Sequence, residues 1–162
     1  MIFAVLSDTH NNKQCVELAL ASIRDRGIGT IVHCGDICDA ETVRLFSNFD
    51  VRFAIGNGDR DLQSLAEAVK SEFGSGRLAP FHEFEMGSVR FAACHGHTET
   101  LARLVSSEKH RIVFHGHSHR RKDQRLGDSR IVNPGAIGGL KPESRSYCVV
   151  DPENETIEFV EV

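Results

Sequence analysis

The amino-acid sequence predicts an α/β fold in which two β-sheets pack together as a sandwich and helices cover the outside. Two observations carry this. Through the first two-thirds of the chain, short apolar runs alternate with segments of helical periodicity, the pattern of strands and helices laid down in turn. In the last third the helical segments cease, and strand-like runs follow one another across turn sequences.

The elements follow in order. Residues 2–6, 30–34, 51–55, 89–94 and 112–114 are short runs rich in apolar, β-branched and aromatic side chains, as strands covered on both faces are. Between them Val16, Ala19, Leu20 and Ile23 keep the i, i+3, i+4, i+7 spacing of one helix face. Leu62, Leu65, Ala66, Val69 and Phe73 do so again, and Leu101, Leu104 and Val105 more briefly. Asp61 stands where a carboxylate would cap the second of these helices, and Asp39 does the same for a shorter helix over 40–46. Residues 124–126, 129–132, 146–150 and 156–162 read as strands with no helix between them, turning at Gly127-Asp128 and at 151–154. They predict a second, more antiparallel sheet.

The chain has 162 residues, and no linker, repeat or low-complexity tract divides it, so 1–162 reads as a single domain. No stretch reaches the about 20 apolar residues of a membrane helix, and no membrane partner is expected. The opening run is apolar like a secretion signal, but no basic residues precede it and Ser7-Asp8-Thr9-His10 follow at once, so it reads as a buried strand. Five scattered cysteines argue against a disulfide framework and for a reducing cytoplasm. Cys34 and Cys38 have the spacing of a metal or redox pair, yet no second pair accompanies them, and free Cys commonly packs as a small apolar residue. A net charge of −4 offers nothing global to nucleic acid or an anionic membrane. The local exception is Arg120-Arg121-Lys122, which reads either as a solvated loop or as a grip on an anionic substrate, with Arg120 the candidate because it follows His119.

Each of the five early strands runs into a potential metal ligand. The first leads to Asp8 and His10, the second to Gly35-Asp36, the third to Gly56-Asn57, the fourth to His95, and the fifth to His117 and His119. Ligands of open α/β sheets bind at the carboxyl ends of strands, so five separate segments can converge on one place. In extended chain, residues two apart point the same way, which lets Asp8 and His10 reach one ion. Four imidazoles, two carboxylates and one amide oxygen make a mixed nitrogen and oxygen shell without thiolate, which excludes a closed cysteine zinc site. Seven ligands suit two ions sharing a carboxylate better than one ion. Asp36 is the candidate bridge, one oxygen to each metal.

These motifs, Asp8-Thr9-His10, Gly35-Asp36, Gly56-Asn57-Gly58-Asp59, His95 and Gly116-His117-Ser118-His119, resemble in kind and order those of the calcineurin-like metallophosphoesterase superfamily. The chain's size and its Asn133-Pro134-Gly135 turn resemble the small bacterial and archaeal phosphodiesterase branch. The resemblance implies a helix-flanked β-sandwich and two divalent metal ions. One would be held by Asp8, His10, Asp36 and His119, the other by Asp36, Asn57, His95 and His117. It implies a hydrolase, and since two neighbouring metals can lower the pKa of a bridging water, attack of that hydroxide on phosphorus with no covalent enzyme intermediate is the chemistry expected. Manganese is the first expectation for the metal. Iron, zinc, nickel and cobalt suit the same shell.

One departure narrows the reading. The protein-phosphatase branch carries a His after the Gly-Asn pair, and here that position is Gly58. Its absence resembles the phosphodiesterase branch and favours small phosphodiester substrates. His97, two residues beyond His95, reads either as a substitute proton donor or as a surface residue. His33 and His115 are expected to pack or to support the ligands, and His82 and His110 to lie on the surface. Asp59 is expected to stabilise a turn. Asn133-Pro134-Gly135-Ala136 should turn near the site, with Ala136 where the family often has Ser. The competing reading is a catalytically weak or inactive metal-binding scaffold of the same fold, as in a eukaryotic retromer subunit. Nucleic acid is not an expected partner, since no broad basic surface is present.

Overall fold

A computed structural model describes residues 1–141 and 145–162. The first sheet is built on β1 (Phe3–Leu6), which pairs in parallel with β2 (Thr30–His33). β2 pairs in parallel with β3 (Asp50–Ala54), and β3 with the short β4 (Leu78–Ala79). The second sheet runs β5 (Phe81–Met86), β6 (Val89–Cys94), β7 (Ile112–Phe114), β9 (Ser129–Asn133) and β8 (Lys122–Leu126). Its centre, β6, β7 and β9, is parallel, and hairpins close both edges. On the far side of β1, β10 (Ser146–Asp151) pairs antiparallel and takes β11 (Thr156–Glu161) beside it.

The alternation of side chains along each strand explains the layering. Phe3, Val5, Val32, Cys34, Cys148 and Val150 face the other sheet and meet Phe91, Ala93, Ile112, Phe114 and Val132. Phe3 stands edge-on to Phe84, Phe91 and Phe114 with ring centroids 5.8, 5.3 and 5.9 Å away. Removing such a ring costs about 3–5 kcal/mol. Ala4, Leu6, Ile31, Val51 and Phe53 point the opposite way, against α1 (Lys13–Asp25), α2 (Ala40–Leu45) and α3 (Leu62–Phe73). On the outer face of the second sheet, Ala92, Cys94 and Val113 pack with Leu104 of α4 (Thr100–Ser106). Asp39 and Asp61 cap α2 and α3, accepting the Thr42 and Ser64 N–H groups at 2.7 and 3.1 Å. All five cysteines are free. Among the described residues no helix is long and apolar enough to cross a membrane.

The structure differs from the sequence expectation in three places. The last four strands do not form a sheet of their own. β8 and β9 extend the second sheet, while β10 and β11 return to β1 in the first, where Cys148 and Val150 fill the sandwich interior. β4 and β5 were not anticipated, although Phe84 and Met86 alternate with Glu83 and Glu85 before a Gly87-Ser88 turn. His110 is buried rather than on the surface. Its Nε2 lies 2.8 Å from Glu83 Oε1, and that polar partner is what lets the ring go inside. His82 is half-buried, with Nε2 2.9 Å from the Phe53 carbonyl.

Candidate metal centre

Backbone hydrogen bonds join the loop leaving β1 to that leaving β2, and the loop leaving β6 to that leaving β7. The N–H of Asp8 donates to Gly35 O, that of His10 to Asp36 O and that of Gly116 to His95 O, each at 3.0 Å. To make these exits, Asp8, His10, Asp36, His117 and His119 all take left-handed backbone conformations, with φ of 53, 44, 59, 66 and 55°. Non-glycine residues rarely do so, and a concentration of them marks a place where geometry is imposed for function. Two glycines allow the crowding. A Cβ at Gly56 would lie 2.1 Å from Asp36 Oδ1, and one at Gly116 would lie 1.8 Å from Ser7 Oγ.

The side chains converge around two carboxylate oxygens. Asp8 Oδ1 lies 3.2 Å from His119 Nε2, 3.7 Å from His10 Nε2 and 4.0 Å from His95 Nε2. Asp36 Oδ2 lies 3.6 Å from His10 Nε2 and 3.4 Å from His95 Nε2. His10 and His119 bring their Nε2 atoms to 3.1 Å of each other on one side. On the other side His95 Nε2 is 3.1 Å from Asn57 Oδ1, and the exposed His117 ring stands 5.2 Å from that of His95. Two ligand groups result, Asp8 with His10 and His119, and Asp8 with Asp36 and His95, each with its donor atoms within 4.8 Å of one another.

The remaining carboxylate oxygens are occupied by the protein. Asp8 Oδ2 accepts the Ser7 hydroxyl at 2.6 Å and the His117 N–H at 3.1 Å. Asp36 Oδ1 accepts the Gly58 N–H at 2.6 Å. Each carboxylate therefore presents one oxygen to the imidazoles, and for Asp36 the oxygen between the two sides is Oδ2. Asp8 Oδ1 is buried and has no hydrogen-bond partner, with His119 Nε2 3.2 Å away. A buried, unpartnered carboxylate oxygen ringed by imidazole nitrogens is costly unless a cation completes it. The donor set therefore fits divalent metal.

Supporting residues hold this arrangement. Asp59 is buried and accepts three backbone N–H groups, from Asp36 at 3.1 Å, Gly56 at 2.7 Å and Cys38 at 2.8 Å. It is a turn-stabilising residue, but one that ties the Asp36 loop to the Asn57 loop. His33 is buried with Nε2 3.2 Å from Thr9 Oγ1. His115 is buried beside Gly116, its Nδ1 3.0 Å from the Gly116 carbonyl. The Asn133 amide donates to that same carbonyl at 2.7 Å and to Ser118 Oγ at 3.1 Å, which brings the Asn133 turn against the His117 loop. Ala136 is buried. Ser7 was not singled out from sequence, its adjacency to Asp8 being the only signal. Cys38, considered there as a pair with Cys34, has its Sγ 3.7 Å from His10 Nδ1, while Cys34 packs in the sandwich interior.

Charge is divided unequally among these groups. Burial works to raise the Asp36 carboxyl, but His95, the Gly58 N–H and His10 outweigh it and hold its pKa at about 2. Burial works to lower His95, and Asp36 and Asp8 overcome it, so the net shift is upward. His119 is raised chiefly by the Asp8 carboxylate. His97 is exposed, its ring 5.3 Å from that of His95 and 6.2 Å from that of His117. Its pKa is lowered, first by desolvation and then by those two imidazoles. On the opposite flank a cavity of about 880 Å³ opens beside His10 and His119, with Arg120, Arg121, Leu140 and Lys141 along its walls.

Comparison with known proteins identifies the family and the fold. The family model described as the calcineurin-like phosphoesterase superfamily domain matches residues 1–155. Phosphodiesterase MJ0936 of Methanocaldococcus jannaschii is 25% identical over 158 residues, covering 96% of this chain and 95% of that protein. A solved structure described as a novel archaeal phosphodiesterase superposes with a TM-score of 0.91 at 24% identity, all of both chains being covered. Yfce, a phosphoesterase from E. coli, gives a TM-score of 0.70 at 19% identity, again over all of both chains. Vps29 from Entamoeba histolytica, complexed with zinc, gives 0.69 at 17% identity over 100% of this chain and 98% of that one. Taken with the match over 1–155, the chain belongs to the calcineurin-like phosphoesterase superfamily.

Proposed function

We propose that this chain is a metal-dependent phosphodiesterase that hydrolyses small phosphodiesters at a dinuclear centre. The observation that carries the reading is the placement of Asp8 Oδ1 and Asp36 Oδ2, each a single presented oxygen within 4.0 Å of imidazoles from both sides of the site. Asp8, His10, Asp36 and His119 would hold one ion, and Asp36, Asn57, His95 and His117 the other. Manganese is the first candidate, with iron, zinc, nickel and cobalt compatible. Two such cations, when bound, would neutralise charge on the phosphoryl oxygens and activate a water for in-line attack on phosphorus.

The chain's own residues do the rest. The hydrogen bonds from Ser7, His117 and Gly58 orient the carboxylates before substrate arrives, which is the preorganisation that electrostatic catalysis needs. The exposed Asn57 and His117 stand at the open side, where an ester would enter. Gly58 supplies no proton donor, and a Cβ there would already press on the Asp36 carboxylate at 3.0 Å. His97 is the candidate donor to the leaving group. The reading treats residues 1–162 as one catalytic domain working in the cytoplasm on small phosphoesters, without a membrane or nucleic-acid partner.

The test is a panel of phosphodiesters and monoesters assayed with Mn²⁺, Co²⁺, Ni²⁺, Zn²⁺ and Mg²⁺, followed by one turnover in ¹⁸O-water. Diester hydrolysis with label in the phosphate product is expected. Trapping of a phosphoenzyme would overturn direct attack by water. Tight metal binding without turnover of any ester would favour the scaffold reading.

A further inference from the structure

We propose that the protein forms a two-fold dimer in which β8 pairs antiparallel with β8 of a second copy, Gln124 facing Gln124 across the axis. The sheets end in β11 and β4 on the first and in β5 and β8 on the second. β8 differs from the other three. All five of its residues are exposed, it contains no proline, and its ladder with β9 runs without a bulge from Lys122 to Leu126. An edge in that condition is a template for a further strand. β4 is only two residues long. β5 carries Glu83 and Glu85, and β11 carries Glu158 and Glu161, with no Lys or Arg on either strand to answer them from another copy. β8 alone carries both signs, in Lys122, Asp123 and Arg125. Charges on an edge usually discourage pairing, but here their arrangement selects one register.

The hairpin decides which backbone groups are free. Gly127, at φ 60°, and Asp128 form a two-residue turn. In such a hairpin the flanking residues, here Leu126 and Ser129, exchange both their hydrogen bonds. Gln124 and Lys122 repeat that relation toward β9, so the N–H and C=O groups of Asp123 and Arg125 point out from the edge. Side chains alternate in the same way. Asp123 stands beside Val132, which faces the first sheet, and Gln124 stands beside Ile131 on the outer face near α4.

The faces must continue from one copy into the next, so only registers in step with this alternation are open. Centring on Asp123 sets that carboxylate against itself, and centring on Arg125 sets guanidinium against guanidinium, both destabilising. Registers centred on Lys122 or Leu126 pair only the strand's end. Centring on Gln124 puts Asp123 opposite the partner's Arg125 and Arg125 opposite the partner's Asp123, and the outward backbone groups of those same residues bond each other. Asp123 keeps Arg130, which it holds at 2.8 and 2.6 Å, because each carboxylate oxygen has a second lone pair to offer. Arg125 is exposed and exerts only a longer-range attraction on Asp123 and Glu155. On the outer face Leu126, 56% exposed in the single copy, lies opposite the partner's Lys122 and is covered by its methylene stem.

Cysteine cross-linking and sedimentation test the proposal. At the axis Gln124→Cys meets itself, where opposite Cβ atoms are about 4.5–5.5 Å apart, close to what a disulfide spans. Mild oxidation should link Gln124→Cys into a dimer, leave Lys122→Cys and Leu126→Cys each single, and link those two when mixed. None of the native cysteines is exposed to compete. In sedimentation the parent should be dimeric at micromolar concentration. Arg125→Asp sets like charges opposite each other, and Arg125→Pro removes an outward N–H without touching the β9 ladder. Each should weaken the dimer by about tenfold or more, with circular dichroism confirming the fold. A monomeric parent, or a dimer of unchanged affinity in both folded variants, overturns the proposal. Linking of Lys122→Cys or Leu126→Cys alone, in place of Gln124→Cys, overturns it as well.

Discussion

The Asp59 carboxylate accepts the backbone N–H of Asp36 at 3.1 Å, and in doing so sets where the Asp36 side chain can point. The same group accepts the N–H groups of Gly56 and Cys38, so one buried carboxylate joins the loops after β2 and β3. Asp59→Ala should therefore weaken metal binding by about 10–100-fold, the usual effect of losing a residue that orients a ligand. Metal titration by calorimetry checks this, with circular dichroism showing that the fold persists. Unchanged affinity in a folded variant would remove Asp59 from the site.

Asp36 stands between the His10 and His95 nitrogens, at 3.6 and 3.4 Å from its Oδ2. Asp36→Asn removes the charge while keeping the shape, and should abolish bound metal and ester hydrolysis together. Elemental analysis alongside the assay is the measurement. Retention of both would undo the shared-carboxylate assignment.

Crowding at Gly116 gives a prediction for stability. A Cβ there would lie 1.8 Å from Ser7 Oγ and 2.6 Å from Asp8 Oδ2. Gly116→Ala should destabilise by about 1–3 kcal/mol and impair metal binding as well. Gly29 has nothing within 4 Å of the same position, and Gly29→Ala should leave stability within about 0.5–1 kcal/mol of the parent. Chemical denaturation of the pair reads the contrast, and equal behaviour would contradict it.

Buried His33 couples stability to pH. Its Nδ1 accepts the Gly35 N–H at 3.2 Å, so the neutral ring carries its proton on Nε2, facing Thr9. A second proton would break the Gly35 bond, and burial pushes the pKa from 6.5 down to about 4. Below about pH 6.5 the unfolded chain therefore takes up the proton first. The stability associated with neutral His33 is full above that point and falls as pH drops toward about 4, by about 3 kcal/mol in all. Denaturation of metal-free protein near pH 7 and pH 4.5 should show this loss in the parent and a smaller one in His33→Gln.

Leaving-group dependence tests Gly58 and His97 together. Without a proton donor at position 58, hydrolysis of aryl diesters should slow steeply as the leaving-group pKa rises. If His97 donates, His97→Ala steepens that slope and spares the best leaving groups. An unchanged slope and rate would make His97 a surface residue.

The sequence alone determined the parts of this protein that depend on near neighbours. The apolar faces of α1 and α3, the caps at Asp39 and Asp61, and the early strands each running into a polar residue are all statements about short stretches of chain. The convergence at Asp8, His10, Asp36, Asn57 and His95 could be anticipated because parallel strands deliver their carboxyl ends to one edge. What tertiary structure alone decided is pairing and burial across long separations. Whether β10 joins β9 or β1 depends on which apolar surface remains open, and Cys148 and Val150 fill the one beside Phe3. His110 could go inside because Glu83, on another strand, meets its Nε2 at 2.8 Å and the Leu104 carbonyl lies 3.4 Å from its Nδ1. The free oxygen of Asp8, the Asp59 bonds and the cationic cavity arise in the same way, from backbone packed against backbone. No local pattern encodes such contacts, because their free energy belongs to residues that meet only after the chain has folded.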